Sequence, residues 1–126
     1  MRVFKNKWFN RWARGEDVSD SVLFKAAGEI LSGKVEADLG GYLFKKRLAQ
    51  AGRGKRGGYR TIVGYRKPNS ERIIFLYAFG KSEKANISER EEAALSLVAE
   101  AFIFATDKQV NELLSEGSIW EVKDNE

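Results

Sequence analysis

The sequence predicts an α+β protein. An N-terminal helical hairpin packs on a small, mainly antiparallel twisted β-sheet, and C-terminal helices follow. Three observations predict this class. Apolar residues recur at helical spacing up to residue 31, alternation takes over between residues 42 and 80, and helical spacing returns from residue 88. At 126 residues the chain suits one domain with its own core, spanning 1–126, and is too short for two of ordinary size.

Arg2 to Lys5 reads as a short strand carrying Val3 and Phe4. "KWFNRWAR" sets Trp8 and Trp12 at i, i+4 with Phe9 beside them, a helical stripe that Gly15 breaks. "DVSDSVLFKAAGEILSG" is a second helix, capped by Ser19 or Asp20 and stopped by Gly33. Its expected buried face is Val22, Leu23, Ala26, Ala27, Ile30 and Leu31. "YLFKKRLA" is a short basic strand. "GYRTIVGYRK" alternates Tyr59, Thr61, Val63 and Tyr65 against Arg60, Ile62 and Gly64. "KPNSE" supplies turn chemistry, so the apolar run "RIIFLYAFGK" pairs back as the second strand of a hairpin and reads as central. Ser88 with Glu91 has capping-box spacing and opens a long helix. The expected core side of that helix is Ala94, Leu95, Leu97, Val98, Ala101, Phe102 and Phe104. Asp107 is the expected cap of a shorter helix ending near Gly117, and "SIWEV" is a final edge strand.

Composition excludes several chemistries. Without histidine or cysteine the chain has no Ser-His-Asp or Cys-His machinery, no disulfide and no thiolate or imidazole metal site. Catalysis, if present, uses Lys, Arg, Tyr, Ser/Thr or carboxylates. The expected location is the cytoplasm: no apolar run approaches the roughly 20 residues that span a bilayer, and the N-terminus lacks the pattern of a signal peptide.

Net charge is +4, unevenly spread. Residues 39–70 hold nine Lys/Arg and no carboxylate, whereas residues 82–126 hold eleven acidic and four basic side chains. Mixed-sign dressing would intersperse the signs. A concentrated positive field over strands and a loop points to phosphate.

"AGRGKRGGYR" contains G-x-G-x-x-G at Gly52, Gly54 and Gly57. A dinucleotide loop needs a helix after the glycines to receive the pyrophosphate, but here Tyr59 and a strand follow. Walker A fails too, because no Ser/Thr follows Lys55 in the required spacing. What remains is a hairpin loop carrying Arg53, Lys55 and Arg56, either a solvated loop or a contact for a larger polyanion.

The ordered set "KKRLA", "GGYRTIVGY" (57–65) and "IIFLYAFGKSEKANI" (73–87), behind a helical hairpin, resembles the RelE/ParE superfamily of bacterial type II toxins, in its HigB-like or RelE-like branch. The resemblance covers nearly the whole chain and implies a RelE-like microbial-ribonuclease fold. It also implies a metal-independent, ribosome-dependent mRNA endonuclease (an mRNA interferase) without cofactor. A cognate antitoxin, expected to be a small helix-turn-helix protein, would hold it inactive. The ParE-like activity, binding DNA gyrase without nuclease action, is the alternative on the same fold.

RNA carries its own nucleophile, the 2′-hydroxyl, so such an enzyme must align it, assist its deprotonation and stabilise phosphorane charge. By the family pattern Arg60 holds the scissile phosphate. Lys45 and Arg47 match the basic strand, where a lysine among cations could act as base. Lys81 acts on the phosphate or leaving group, and Tyr77 stacks or donates a proton. Lys46, Arg53, Lys55, Arg56, Tyr59, Lys84 and Asn86 are the expected RNA contacts. Bland readings stay open: Tyr59 and Tyr77 as strand aromatics facing helices, Lys46 as guard of an exposed edge, Arg60 paired with a carboxylate of the C-terminal helix. Several relatives use a histidine or tyrosine near the C-terminal end. This chain has no histidine, and "SEKANIS" supplies no tyrosine, so the resemblance names no general acid there. Two further readings are a carboxylate–metal nuclease built on Glu121 and Lys123, and a non-catalytic RNA-binding domain.

Overall fold

The computed structural model describes residues 1–49, 58–66, 72–80, 83–84 and 86–124. The glycine loop at 52–57 and the Pro68-Asn69-Ser70 turn lie outside them. In chain order the elements are β1 (Arg2–Asn6), α1 (Lys7–Gly15), α2 (Asp20–Leu31), β2 (Ala37–Gly40), β3 (Leu43–Leu48), β4 (Tyr59–Gly64), β5 (Arg72–Gly80), α3 (Glu89–Ile103), α4 (Asp107–Glu116) and β6 (Ile119–Val122).

The strands form one six-stranded sheet in the order β2-β3-β4-β5-β1-β6. Four pairings are antiparallel and β1–β5 is parallel. The sheet is therefore α+β and mainly antiparallel, as expected, with the N-terminal strand inserted between β5 and β6. β2 is an element the sequence did not announce: Gly40 and Gly41 obscure a four-residue strand that pairs outside β3.

Helices cover both faces. α1 and α2 close one core with Val3, Phe9, Leu23, Ile30, Phe44, Val63 and Phe75. α3 and α4 close the other with Phe4, Leu43, Ile62, Ile74, Leu76, Phe79 and Phe102. This double cover is why β5 reads as a continuous apolar run rather than an alternating one. Each fully buried large side chain contributes about 1.5–3 kcal/mol, and Phe4, Phe9, Phe75 and Phe79 all qualify.

The helix stripes are narrower than the periodicity suggests, because a helix lays only one band of its surface on a sheet. In α1 the buried residues are Phe9 and Ala13; Trp12 is partly buried and Trp8 exposed. In α2 they are Leu23, Ala26, Ala27 and Ile30, while Val22 and Leu31 lie at the margins, exposed. The largest departure is α3, which buries Ala99 and Phe102 and leaves Leu97, Val98 and Phe104 in solvent. The Ser88–Glu91 capping box forms as expected. α4 is capped by Thr106 in a box with Gln109, not by Asp107, whose carboxylate instead meets Arg72 at 2.9 Å. Arg72 also donates to the carbonyls of Phe102 (3.0 Å) and Ala105 (2.7 Å), tying β5 to the end of α3.

Candidate active site

Cross-strand register assembles the basic residues. Lys45 pairs with Ile62 and Ile62 with Tyr77; Arg47 pairs with Arg60 and Arg60 with Phe79. Because strand side chains alternate, Lys45, Arg47, Arg60, Tyr77 and Phe79 share one face, the face that α3 partly covers. With strands about 4.8 Å apart, Lys45 and Tyr77 lie within about 10 Å across two strands.

Two local features set this grid. Gly58 approaches the carbonyl of Leu48 so closely that a Cβ there would stand 2.8 Å from the oxygen. That approach seats the start of β4 on β3 and fixes Arg60 opposite Arg47. On the other side, register shifts between Ile62 and Val63, which pair with Tyr77 and Phe75. Leu76 is therefore the extra residue of a β-bulge, and the bulge turns Tyr77 onto the same face as Leu76. Here a bulge re-aims a side chain, as bulges do beside functional sites.

Arg60 is the most constrained cation of the group. Its side chain is 11 % exposed and its Nε donates to Glu36 at 2.8 Å. Its Nη1 is buried and, among the described residues, has no hydrogen-bond partner. A buried unmet donor costs about 1–3 kcal/mol, more when charged. Arg47 faces it directly in the ladder, and like charges so placed repel. Glu36 offsets the Arg60 charge from the edge of the sheet. Arg60 is thus paired with the segment before β2, not with the C-terminal helix that the bland reading named.

Tyr77 is held by Trp8 and Lys84, and Lys84 is itself anchored by Glu91. Trp8 at the start of α1 packs on it with ring centroids 4.5 Å apart. Lys84 Nζ donates to the phenol oxygen at 3.1 Å and lies 5.0 Å from the ring centroid. Lys84 in turn meets both oxygens of Glu91, at 3.2 and 3.0 Å. The backbone N–H of Ser88, and then Lys84, hold the Glu91 carboxyl down to about 2. The hydrogen bonds to Glu91 and Tyr77 raise Lys84, so it stays an ammonium at neutral pH. Because the Tyr77 oxygen accepts from Lys84, its own proton is left to donate elsewhere.

Other expected residues stand apart. Lys46 projects to the opposite face, where its ammonium meets Glu29 at 2.8 Å and the Lys34 carbonyl at 3.0 Å; that contact lowers the Glu29 carboxyl. β2 lies outside β3, so Lys46 guards no free edge there. Tyr59 is buried on the same far side, its hydroxyl donating to Glu16 at 2.6 Å and its ring edge-on to Trp12. Asn86 is exposed just before α3, its amide oxygen accepting from Ile87 N–H. Glu121 is held by Arg2 through two hydrogen bonds, 3.1 and 2.9 Å. Lys81, Arg53, Lys55 and Arg56 lie outside the described residues.

Among known families, the one described as the RelE toxin of the RelE/RelB toxin-antitoxin system matches residues 1–122. The chain belongs to the RelE toxin family. No curated protein matches it. This RelE-family protein is accordingly the toxin half of a toxin-antitoxin pair, and no described helix is long and apolar enough to cross a membrane.

Two residues around the toxin's basic grid escaped sequence reasoning. Glu36 is 24 positions from Arg60, and nothing local marks it as a partner. Trp8 had a signal, a tryptophan at the start of an amphipathic helix, but helical spacing assigned it to the core.

Proposed function

We propose that this toxin is an mRNA interferase of the RelE-like or HigB-like branch, a metal-independent endonuclease that cuts messenger RNA on the ribosome by attack of the 2′-hydroxyl on the adjacent phosphate. The observation that carries the reading is the buried, unmet Nη1 of Arg60 on a sheet face shared with Lys45 and Arg47. Glu36 holds the guanidinium at Nε, and a phosphate oxygen supplies the acceptor that the buried Nη1 lacks once the side chain shifts toward the bound RNA. Arg47 takes a further oxygen and stabilises the added charge of the phosphorane, while Lys45, acting as its free amine, takes the proton from the attacking 2′-hydroxyl. Tyr77, its oxygen held by Lys84, donates its proton to the departing 5′-oxygen, the role that histidine or tyrosine fills elsewhere in the family. Lys81 supports the leaving group, and Arg53, Lys55 and Arg56 with Lys84 and Asn86 contact flanking RNA. The partner that silences this activity is a helix-turn-helix antitoxin, and both act in the cytoplasm.

The test is a primer-extension map of a defined mRNA incubated with the toxin and programmed ribosomes, with and without EDTA. Cuts inside translated codons that need ribosomes, persist in EDTA and vanish in Arg60→Ala are expected. Intact mRNA together with gyrase-linked DNA breaks in arrested cells would replace this reading with the gyrase-binding one.

A further inference from the structure

A second basic surface lies away from the grid. Lys7, Arg11 and Arg14 occur at i, i+4 and i+7 on α1, all exposed. With Asn10 and Trp120 of β6 they line a groove of about 260 Å³. Trp120 pairs with Lys5 in the β1–β6 ladder, so the groove runs along the β6 edge of the sheet. β6 is separated from β4, which carries Arg60, by β1 and β5, about 14 Å in all.

The charges in this groove are uncompensated. Among the described residues no carboxylate pairs with Lys7, Arg11 or Arg14, and three carboxylates around α1 are committed elsewhere: Asp20 to Lys5, Glu121 to Arg2, Glu16 to the Tyr59 hydroxyl. The arrangement is also unfavourable to the helix that bears it. Lys7 sits at the first helical position, against the positive end of the dipole, and the first turn has no acidic residue. Lys7–Arg11 and Arg11–Arg14 are like-charge neighbours on the helix surface. A nine-residue helix has little stability to spare. Arg14, in the last turn, suits the helix dipole, but helix stability does not explain Lys7 or Arg11, and an external polyanion accounts for all three.

We infer that this groove binds the phosphate backbone of a folded RNA, as a docking site separate from the cutting site. The three cations span about 10 Å of helix, Asn10 offers an amide to a ribose or base edge, and Trp120 presents an aromatic wall. The inference rests on the interferase reading, since a ribosome-bound nuclease meets structured RNA on more than one side.

The experiment measures binding of the intact protein to purified ribosomes between 50 and about 300 mM salt, for the unmodified chain and for Lys7→Gln/Arg11→Gln/Arg14→Gln. Each lost phosphate contact removes about 0.7–0.9 from the slope of log K against log salt. A slope smaller by about 2 and an affinity about 10- to 100-fold weaker at 0.1 M salt are expected. Arg11→Lys/Arg14→Lys retains the slope, because counterion release counts charges. The triple variant's urea midpoint stays equal or rises, because repulsion on α1 is relieved; a lower midpoint would make the cations structural and overturn the inference. So would an unchanged slope, or a loss confined to phosphatidylserine vesicles or a glutamate-rich peptide. Cleavage abolished by Arg60→Ala with ribosome binding unaffected in the triple variant sinks the groove alone. Ribosome binding lost in the triple variant while the unmodified chain cuts no mRNA sinks the nuclease alone.

Discussion

Replacing Arg60 separates a phosphate clamp from a structural ion pair. Arg60→Ala removes a side chain 11 % exposed and leaves Glu36, 32 % exposed, without its partner. Glu36 can turn to water, so the loss of the pair costs on the order of 1–2 kcal/mol in stability. Even from the lower end of ordinary domain stability, about 5 kcal/mol, the protein stays roughly 99 % folded. A cation aimed at developing phosphorane charge is worth more: removing one such donor typically costs about 10²–10³-fold in rate. Glu36→Gln is the counterpart. It keeps an acceptor for the Arg60 Nε, destabilises by about 1 kcal/mol, and leaves the site one charge more positive. Single-turnover cleavage on programmed ribosomes, with urea denaturation of each variant, reads both quantities. Expected are a fall of at least 10²-fold for Arg60→Ala and, for Glu36→Gln, a rate within threefold of the unmodified toxin. If Arg60→Ala cuts within threefold of the parent, or if both variants lose rate in proportion to stability, the clamp is refuted.

Tyr77→Phe keeps the ring against Trp8 and deletes only the hydroxyl, so cleavage should fall on the order of 10²-fold with an unchanged urea midpoint; an unaltered single-turnover rate would remove Tyr77 as proton donor. Glu91, held down to about 2 in the fold against an ordinary 4.5, gives stability that is present above pH 4.5 and lost as the pH falls toward 2. Urea midpoints measured from pH 6 to 2.5 should therefore drop less in Glu91→Gln than in the parent; parallel curves would contradict the pairing with Ser88 and Lys84. Arg72→Met leaves the Phe102 and Ala105 carbonyls and Asp107 without their donor. A loss of about 2–3 kcal/mol is expected, and an unchanged denaturation midpoint would count against this tie.

The sequence made the elements legible where one local signal decides them. The capping box at Ser88, the apolar run of β5 and the basic strand at 43–48 all appear where their residues say. The motif Gly58-Tyr59-Arg60 divides instructively: alternation sends Arg60 to one face and Tyr59 to the other, and only the register against β3 says which face holds Arg47. The same rule separates Lys46 from its neighbours, yet adjacency in "KKR" reads as one patch. The β-bulge at Leu76 and the reach of Glu36 to Arg60 depend on residues far apart in the chain. No window of a dozen residues could reveal them. α3 misled because its second apolar stripe, at 94, 97, 98 and 101, has the same spacing as the one on the sheet.

The place of β1 has a consequence for the order in which the protein can be made. β1 leaves the ribosome first, but its partners are β5, some 70 residues later, and β6, which ends at Val122. A growing chain can zip β2 to β5 as successive neighbours while β1 waits unpaired. The sheet closes only when the last strand emerges, and such distant pairings are slow to form. Arg2 then meets both Arg72 in register and Glu121 across the edge. A chain halted before residue 119 therefore lacks the strand that secures its own beginning, and it should remain protease-sensitive on the ribosome until synthesis passes that point.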